Sequence, residues 1–420
     1  MTAPSFPLPP FNEDPPGLTS ANDRVIIRDY LNGKVLPALN QLAARVAALE
    51  AAPAPTPLPT PTPTPLPIPP IPPEPTTDAA KILALLGPTK SVTDTAALGP
   101  DFARYDQIFL EKLPSTNTWE DNYYDRSVVY YARYARSGDA TFLQKGHDIV
   151  LKYRKDYLEP NAYKLQPNWS QVRGLELHYL LTGDAASQKA VAGIYAQGLA
   201  GFSRPIWGTP PIPDLANPQS SYMENRIQAR CLQAALSCYR MGASYTGEYG
   251  EFTPATWPTE LRNMLNQILS VQKADGSYSW VQICGGQLNY MVGMLNDVLI
   301  EYYRDFEADP RIPTAIQSAN EYLWTTQWLA ADAAFSYCST LCAPNPFGTN
   351  VGGKEAAGDL NGLFIASFGW LYSRTGEQKW RDRGDLILSG LVSARWASNY
   401  SGSKNYNQAF SEAYRYFGWR

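Results

Sequence analysis

The sequence predicts an all-α domain of repeated helical hairpins over residues 77–420, behind a stiff proline-rich rod and a short N-terminal helical segment. Three observations predict it. Apolar residues recur at helical spacing from Thr77 onward, a glycine-plus-acid pattern recurs where paired helices would turn, and residues 53–75 hold 13 prolines in 23 positions.

Residues 1–20 are proline-rich and are expected to be disordered. They show neither the basic start nor the apolar stretch of an export signal. No run of 18 apolar residues follows anywhere, so no membrane-spanning helix is expected. Residues 21–52 read as a helical attachment or oligomerisation segment. Val35, Leu39, Leu42, Val46 and Leu49 are spaced 4, 3, 4, 3, the seam of a coiled coil. So short a seam suits either a homo-oligomer or docking on a protein partner. Residues 53–76 form the rod. Proline alternating with Thr, Leu, Ile and Ala forbids helix and sheet and favours polyproline II, which at ~3.1 Å per residue reaches about 70 Å.

Composition narrows the rest. The net charge is −4 with 18% charged residues and no basic stripe, which argues against nucleic acid. Aromatics make up 12%, including 27 Tyr and 11 Trp. With two His, a histidine metal site is not expected and no cofactor is. His147 falls on an outer helix and His178 near a hairpin tip, both as structural residues. Of the five Cys, Cys231 and Cys238 read as core; Cys338 and Cys342 flank a short loop and are close enough for a disulfide, although the odd total argues against a full framework.

Ser137-Gly138-Asp139, Thr182-Gly183-Asp184, Thr246-Gly247-Glu248 and Thr375-Gly376-Glu377 mark hairpin tips. Glycine takes the left-handed position that ends one helix, and the acid favours the start of the next. Glu307 to Pro310 plays the same part. Inner, largely apolar helices are expected at 120–136, 168–182, 223–242, 286–306, 358–374 and 405–418. Amphipathic outer partners are expected at 101–113, 140–157, 185–201, 257–273, 311–330 and 377–396. This arrangement resembles the (α/α)6 toroid of six-hairpin glycosidases and polysaccharide lyases. The resemblance covers about 320 residues and rests on layout and hairpin tips rather than a motif. An open α-solenoid is the alternative.

In such a toroid all inner helices begin on one face, and the segments before them are rich in Trp, Tyr, Asn, Asp, Glu and Arg. Aromatic faces stack on sugar rings, and amides and carboxylates bind hydroxyls. Capping alone explains one polar residue per loop, not the aromatics beside it. Trp119, Tyr123, Asn168, Trp169, Asn225, Trp280, Asn289, Tyr290, Asp359 and Tyr406 are therefore candidates for binding a glycan. Hydrolysis wants two carboxylates across the cleft. Asp125 and Glu224 form the best pair, with Asp121 sharing a helix face with Asp125, and Arg126 placed to pair with Glu224. A lyase would draw on Tyr222, Asn225 and Arg226, with no histidine in the cleft to serve as base.

The whole layout, attachment segment then spacer then surface domain, resembles a bacteriophage fibre or appendage protein. That resemblance implies a virion protein, assembled in the host cytoplasm, whose toroid binds or degrades host polysaccharide. A cellular glycoside hydrolase or lyase, extracellular in location, and a non-catalytic structural appendage are the alternatives.

Overall fold

The computed structural model describes residues 77–203, 225–278, 287–339 and 353–420. The expectations for residues 1–76, and those for Tyr222, Glu224, Trp280 and Cys342, lie outside the described residues.

The chain is an (α/α)6 toroid. A leading helix α1 (Asp78–Leu86) and a short α2 (Val92–Ala96) precede the ring. Outer helix α3 (Pro100–Glu111) is followed by inner α4 (Arg126–Ser137), outer α5 (Ala140–Lys152), inner α6 (Arg173–Thr182) and outer α7 (Ala185–Ile194). Then come inner α8 (Asn225–Met241), outer α9 (Trp257–Ser270), inner α10 (Asn289–Asp305), outer α11 (Arg311–Tyr322), inner α12 (Ile365–Thr375) and outer α13 (Gln378–Val392). The last inner helix is broken into α14 (Ser403–Phe410) and α15 (Tyr416–Trp419).

Each inner helix packs on the next, and α14 returns to α4. The outer layer closes as well, because α13 packs on α3. Aromatic contacts weld the seam: Tyr105 and Phe109 of α3 meet Phe410 of α14 at 4.9 and 5.2 Å, and Phe102 stacks near Tyr416 of α15. The ring is therefore closed, which excludes the open solenoid.

Burial follows the sequence pattern. Inner α10 is buried from Asn289 through Tyr302, whereas outer α5 buries a stripe of Phe142, Gly146, Ile149 and Val150. Each apolar side chain so buried contributes about 1.5–3 kcal/mol. The tips form as expected at three places. Gly138, Gly183 and Gly376 hold φ of 74°, 73° and 67°, and Asp139 and Asp184 accept from the N–H of Thr141 (2.9 Å) and Ala186 (3.1 Å). The fourth expectation fails. Gly242, not Gly247, ends α8, and 245–247 instead pairs with 250–252 as a small antiparallel hairpin, Gly247 opposite Gly250.

The ring axis is filled by charge. Arg173 of α6 pairs with Asp297 and with Glu301 (2.9 Å) of α10, and Arg415 pairs with the same two acids. Arg240 of α8 grips Glu176 of α6 at 2.7 Å and reaches Asp305 at 2.9 Å. α6 and α10 are not ring neighbours, so these pairs cross the centre. Breaking one such buried pair costs about 3–5 kcal/mol. At the tip end, α1 lies over α4 and α6 and roofs a cavity of about 560 Å³ bordered by Lys81, Leu85, Leu180 and Arg240.

Among the described residues no helix is long and apolar enough to cross a membrane, and no cluster of three His, Cys, Asp or Glu could hold a metal ion.

Candidate functional site

The face where inner helices begin carries two features absent from an ordinary packed surface. The first is strained backbone. Tyr124 and Asp125, immediately before α4, both sit at positive φ, 65° and 56°. Two successive non-glycine residues there cost about 1–3 kcal/mol each and are held by their surroundings. Asp125 is tied down by Ser127 Oγ (2.6 Å) and by the Gly174 N–H (3.2 Å). Gly174 must be glycine for this approach: a Cβ there would lie 1.7 Å from Ser127 Oγ and 2.6 Å from Asp125 Oδ1. Burial pushes the Asp125 carboxyl up, against the pull of its hydrogen bonds.

The second feature is unspent hydrogen-bonding capacity. Tyr124 OH, Ser170 Oγ, Gln171 Oε1, both amide atoms of Asn225, Arg230 Nε and Glu412 Oε2 are buried with no hydrogen-bond partner among the described residues. Buried polar groups are nearly always paired, so such a concentration needs an explanation. The Arg230 guanidinium lies 5.7 Å from the Tyr124 ring, and Glu412 lies 3.5 Å from Arg173, the first residue of α6. Burial and the neighbouring Asp297 push the Glu412 carboxyl up to about 8.

Beside this polar floor stands an aromatic wall. Trp119 stacks on Tyr157, with centroids 4.0 Å apart and planes 2° apart. Trp169 packs 5.1 Å from Trp119 and 4.5 Å from Tyr123. Tyr157 owes its place to a π-helical turn over Tyr153–Leu158 at the end of α5, a feature often found at functional sites. Tyr153 donates to the Trp169 carbonyl and accepts from the Gln171 N–H at 3.2 Å, which fixes the Trp169 loop. Trp119, Tyr123 and Trp169 are only partly buried, and Asn168 lies partly buried between them. Arg226 Nη1 reaches Tyr123 OH at 3.5 Å, and Tyr290 packs 5.4 Å from Tyr337 next along the ring.

Other candidates lie elsewhere. Tyr406 is wholly buried, donates to the Phe109 carbonyl at 3.1 Å and packs on Phe410; an inner helix turns its aromatic faces into the seam. Asn289 is buried with its amide spent on Ser336 (2.8 and 3.0 Å), so it braces the 336–338 segment. Asp121 sits in a 3-10 turn rather than on a helix face with Asp125. It caps that turn through Thr116 (3.0 Å) and the Thr118 N–H (2.7 Å), and it pairs with Arg126 at 3.4 Å. Those hydrogen bonds and Arg126 outweigh burial and hold its carboxyl low. Arg126 thus serves Asp121 and Asn407 (3.1 Å), not the cleft. Asp359 stands apart, half-buried near Asn405 (3.4 Å), its carboxyl raised by burial. His147 and His178 meet each other 5.2 Å apart between α5 and α6, hydrogen-bonded to Tyr131 and Ser187.

The reading of the sequence places Tyr124 and Gln171 in the polar, aromatic loops of this face without choosing them as candidates, and it misses Tyr157, Arg230 and Glu412. A signal existed for Arg230: a charge at a buried position of an inner helix is rare unless paired.

No protein-family model matches the chain, and no curated protein matches it. Among solved structures, the chain is similar to an inactive variant of an α-1,6-mannanase of Salegentibacter sp. HEL1_6 in complex with α-1,6-mannotriose. The identity is 11% and the TM-score 0.34, over 70% of this chain and 69% of that one.

Proposed function

We propose that residues 77–420 form a glycan-handling toroid whose cleft lies at the starting ends of the inner helices, and that the chain is a virion fibre or appendage protein. In this reading residues 1–52 attach it to a protein partner as a homo-oligomer, residues 53–76 hold the toroid at a distance, and the toroid engages host-surface polysaccharide. One observation carries the sugar reading: partly buried Trp119, Trp169 and Tyr123 stand beside a floor of unpaired hydroxyl, amide and guanidinium groups. Ring faces with nearby hydrogen-bonding groups are what a pyranose presents surfaces to.

The test is retention of the full chain on immobilised polysaccharides, with Trp119→Ala alongside. Removing Trp119 takes away a stacking face and is expected to weaken retention about tenfold. The melting temperature should move little, because the ring is partly exposed. Unchanged retention with a lowered melting temperature would make the Trp119–Tyr157 stack a packing device and remove the platform.

A second reading, cleavage of the bound chain, is favoured by Asp125, whose carboxyl burial favours the protonated form that a general acid needs. Glu224, its expected partner, lies outside the described residues. Cleavage is read as new reducing ends, or as ultraviolet absorbance at unsaturated ends for a lyase.

A further inference from the structure

Among the described residues, seven arginines are buried: Arg126, Arg133, Arg136, Arg154, Arg173, Arg230 and Arg415. Six have a carboxylate. Arg126 has Asp121, Arg133 and Arg136 share Asp106, Arg154 has Asp184, and Arg173 and Arg415 share Asp297 and Glu301. Arg230 has none among the described residues, although it is 8% exposed. Its Nε is buried without a partner among the described residues, its guanidinium lies over the Tyr124 ring, and Asp125 and Glu412 act on it electrostatically without forming an ion pair.

A buried guanidinium without a counter-ion is costly, and such groups are normally paired. Nearby acids do little to cancel this one. Glu412 is held up to about 8 and is therefore mostly protonated at neutral pH, and the Asp125 carboxyl, shifted upward by burial, is already engaged by Ser127 Oγ and the Gly174 N–H. The site thus keeps a positive charge at the floor of the cleft, beside the unpaired hydroxyl of Tyr124.

We infer that Arg230 is the receptor for a carboxylate on the glycan, so that the cleft takes acidic polysaccharide built with uronic or other carboxylated sugars; the inference rests on the glycan reading above. The planar fork of guanidinium matches carboxylate geometry in a way it does not match a neutral hydroxyl. General attraction cannot supply the same preference, since the chain carries a net charge of −4 and repels polyanions at long range.

The experiment measures binding of the full chain to polygalacturonate and hyaluronan, to dextran sulfate, and to neutral dextran and mannan, for wild type, Arg230→Gln and Arg230→Lys. The expected result is preference for the carboxylated chains. Arg230→Gln should weaken them about 10- to 100-fold and lose the preference, while Arg230→Lys recovers part of it. Its melting temperature should stay unchanged or rise, because no ion pair is lost. Equal binding of neutral and carboxylated glycans overturns the inference and leaves the glycan reading standing. Retention of dextran sulfate alone, or a lowered melting temperature with uniform loss on every glycan, also overturns it. Binding to none of the glycans removes both.

Discussion

Two of the three arginines on helix α8 lie ten residues apart, Arg230 near the starting end of the inner helices and Arg240 near the hairpin tips, and they live in opposite circumstances. Arg240 holds Glu176 with two parallel hydrogen bonds of 2.7 Å and Asp305 with a third of 2.9 Å. Arg230 holds no carboxylate among the described residues. The contrast extends to the two ends of the ring. At the tips the turns are glycine-capped and α1 packs over α4 and α6; at the other end the backbone is strained at Tyr124 and Asp125, and Arg230 lacks an ion pair among the described residues. Satisfied groups hold a fold together, whereas unsatisfied and strained ones are tolerated where a ligand completes them. The tip end is where this toroid is stabilised, and in the glycan reading proposed above the opposite end is where a ligand would complete it.

The widest gap is between the two arginines themselves. Arg240→Met strands Glu176, which is fully buried, and should cost about 3–5 kcal/mol in denaturant unfolding. The same change at Arg230 should cost little. Equal losses would erase the distinction between the two ends.

Protonation sharpens it next. The Glu412 carboxyl rises from 4.5 to about 8 in the folded chain. A raised folded value means a contribution to stability fully present below pH 4.5 and lost as pH rises through about 8. Wild type should therefore lose stability between pH 5 and pH 9, on the order of a few kcal/mol, and Glu412→Gln should flatten that slope. The axial acid Glu301, held low by Arg173 and Arg415 in spite of burial, has the opposite sign: its contribution is lost only as the medium turns acid, below the ordinary Glu range. A wild-type slope unchanged by Glu412→Gln would place the neutral carboxyl elsewhere. Gly174→Ala comes third. The new Cβ drives into Ser127 and Asp125, and the repacking should cost about 1–3 kcal/mol and disturb the Tyr124–Asp125 turn. A variant as stable as wild type would mean the turn is loosely held.

Much of the ring was legible. The twelve expected helices fall where the structure has them because periodicity and glycine tips are local signals, read without knowing any neighbour. Boundaries drifted at the starts of inner helices: α4, α6 and α12 begin later than expected, each after a 3-10 turn, at Trp119–Asn122, Pro167–Trp169 and Gly358–Leu363. The cleft was legible by face but not by residue. Trp119, Tyr123 and Trp169 lie together because they sit in successive loops on one side. Tyr406 turned inward because a broken inner helix must fill the seam, a fact set by α3 and not by its own neighbours. Tyr124 and Asp125 carry no sequence mark of left-handed backbone, since neither is glycine. Arg230 could be noticed in sequence, but its want of a partner exists only once all other carboxylates have been placed.

The smallest expected effect tests whether strain at the cleft serves chemistry or architecture. Asn is the natural replacement at position 125, because it tolerates left-handed backbone and keeps the shape of Asp. Its carbonyl can still accept from the Gly174 N–H, and its amide can donate to Ser127 Oγ. That hydroxyl is then free to donate to Asn122 Oδ1, already 3.2 Å away. Every hydrogen bond survives while a buried carboxyl, which burial disfavours as a charge, becomes permanently neutral. Asp125→Asn should therefore stay within about 1 kcal/mol of wild type and gain on it as pH rises, since a raised carboxyl loses its contribution in that direction. Glycan retention should persist, and any release of reducing ends should stop. A large loss of stability would instead mean that Asp125 is held ionised as an anchor beneath Arg230 and Arg173, and the cleft's strained turn would belong to the scaffold.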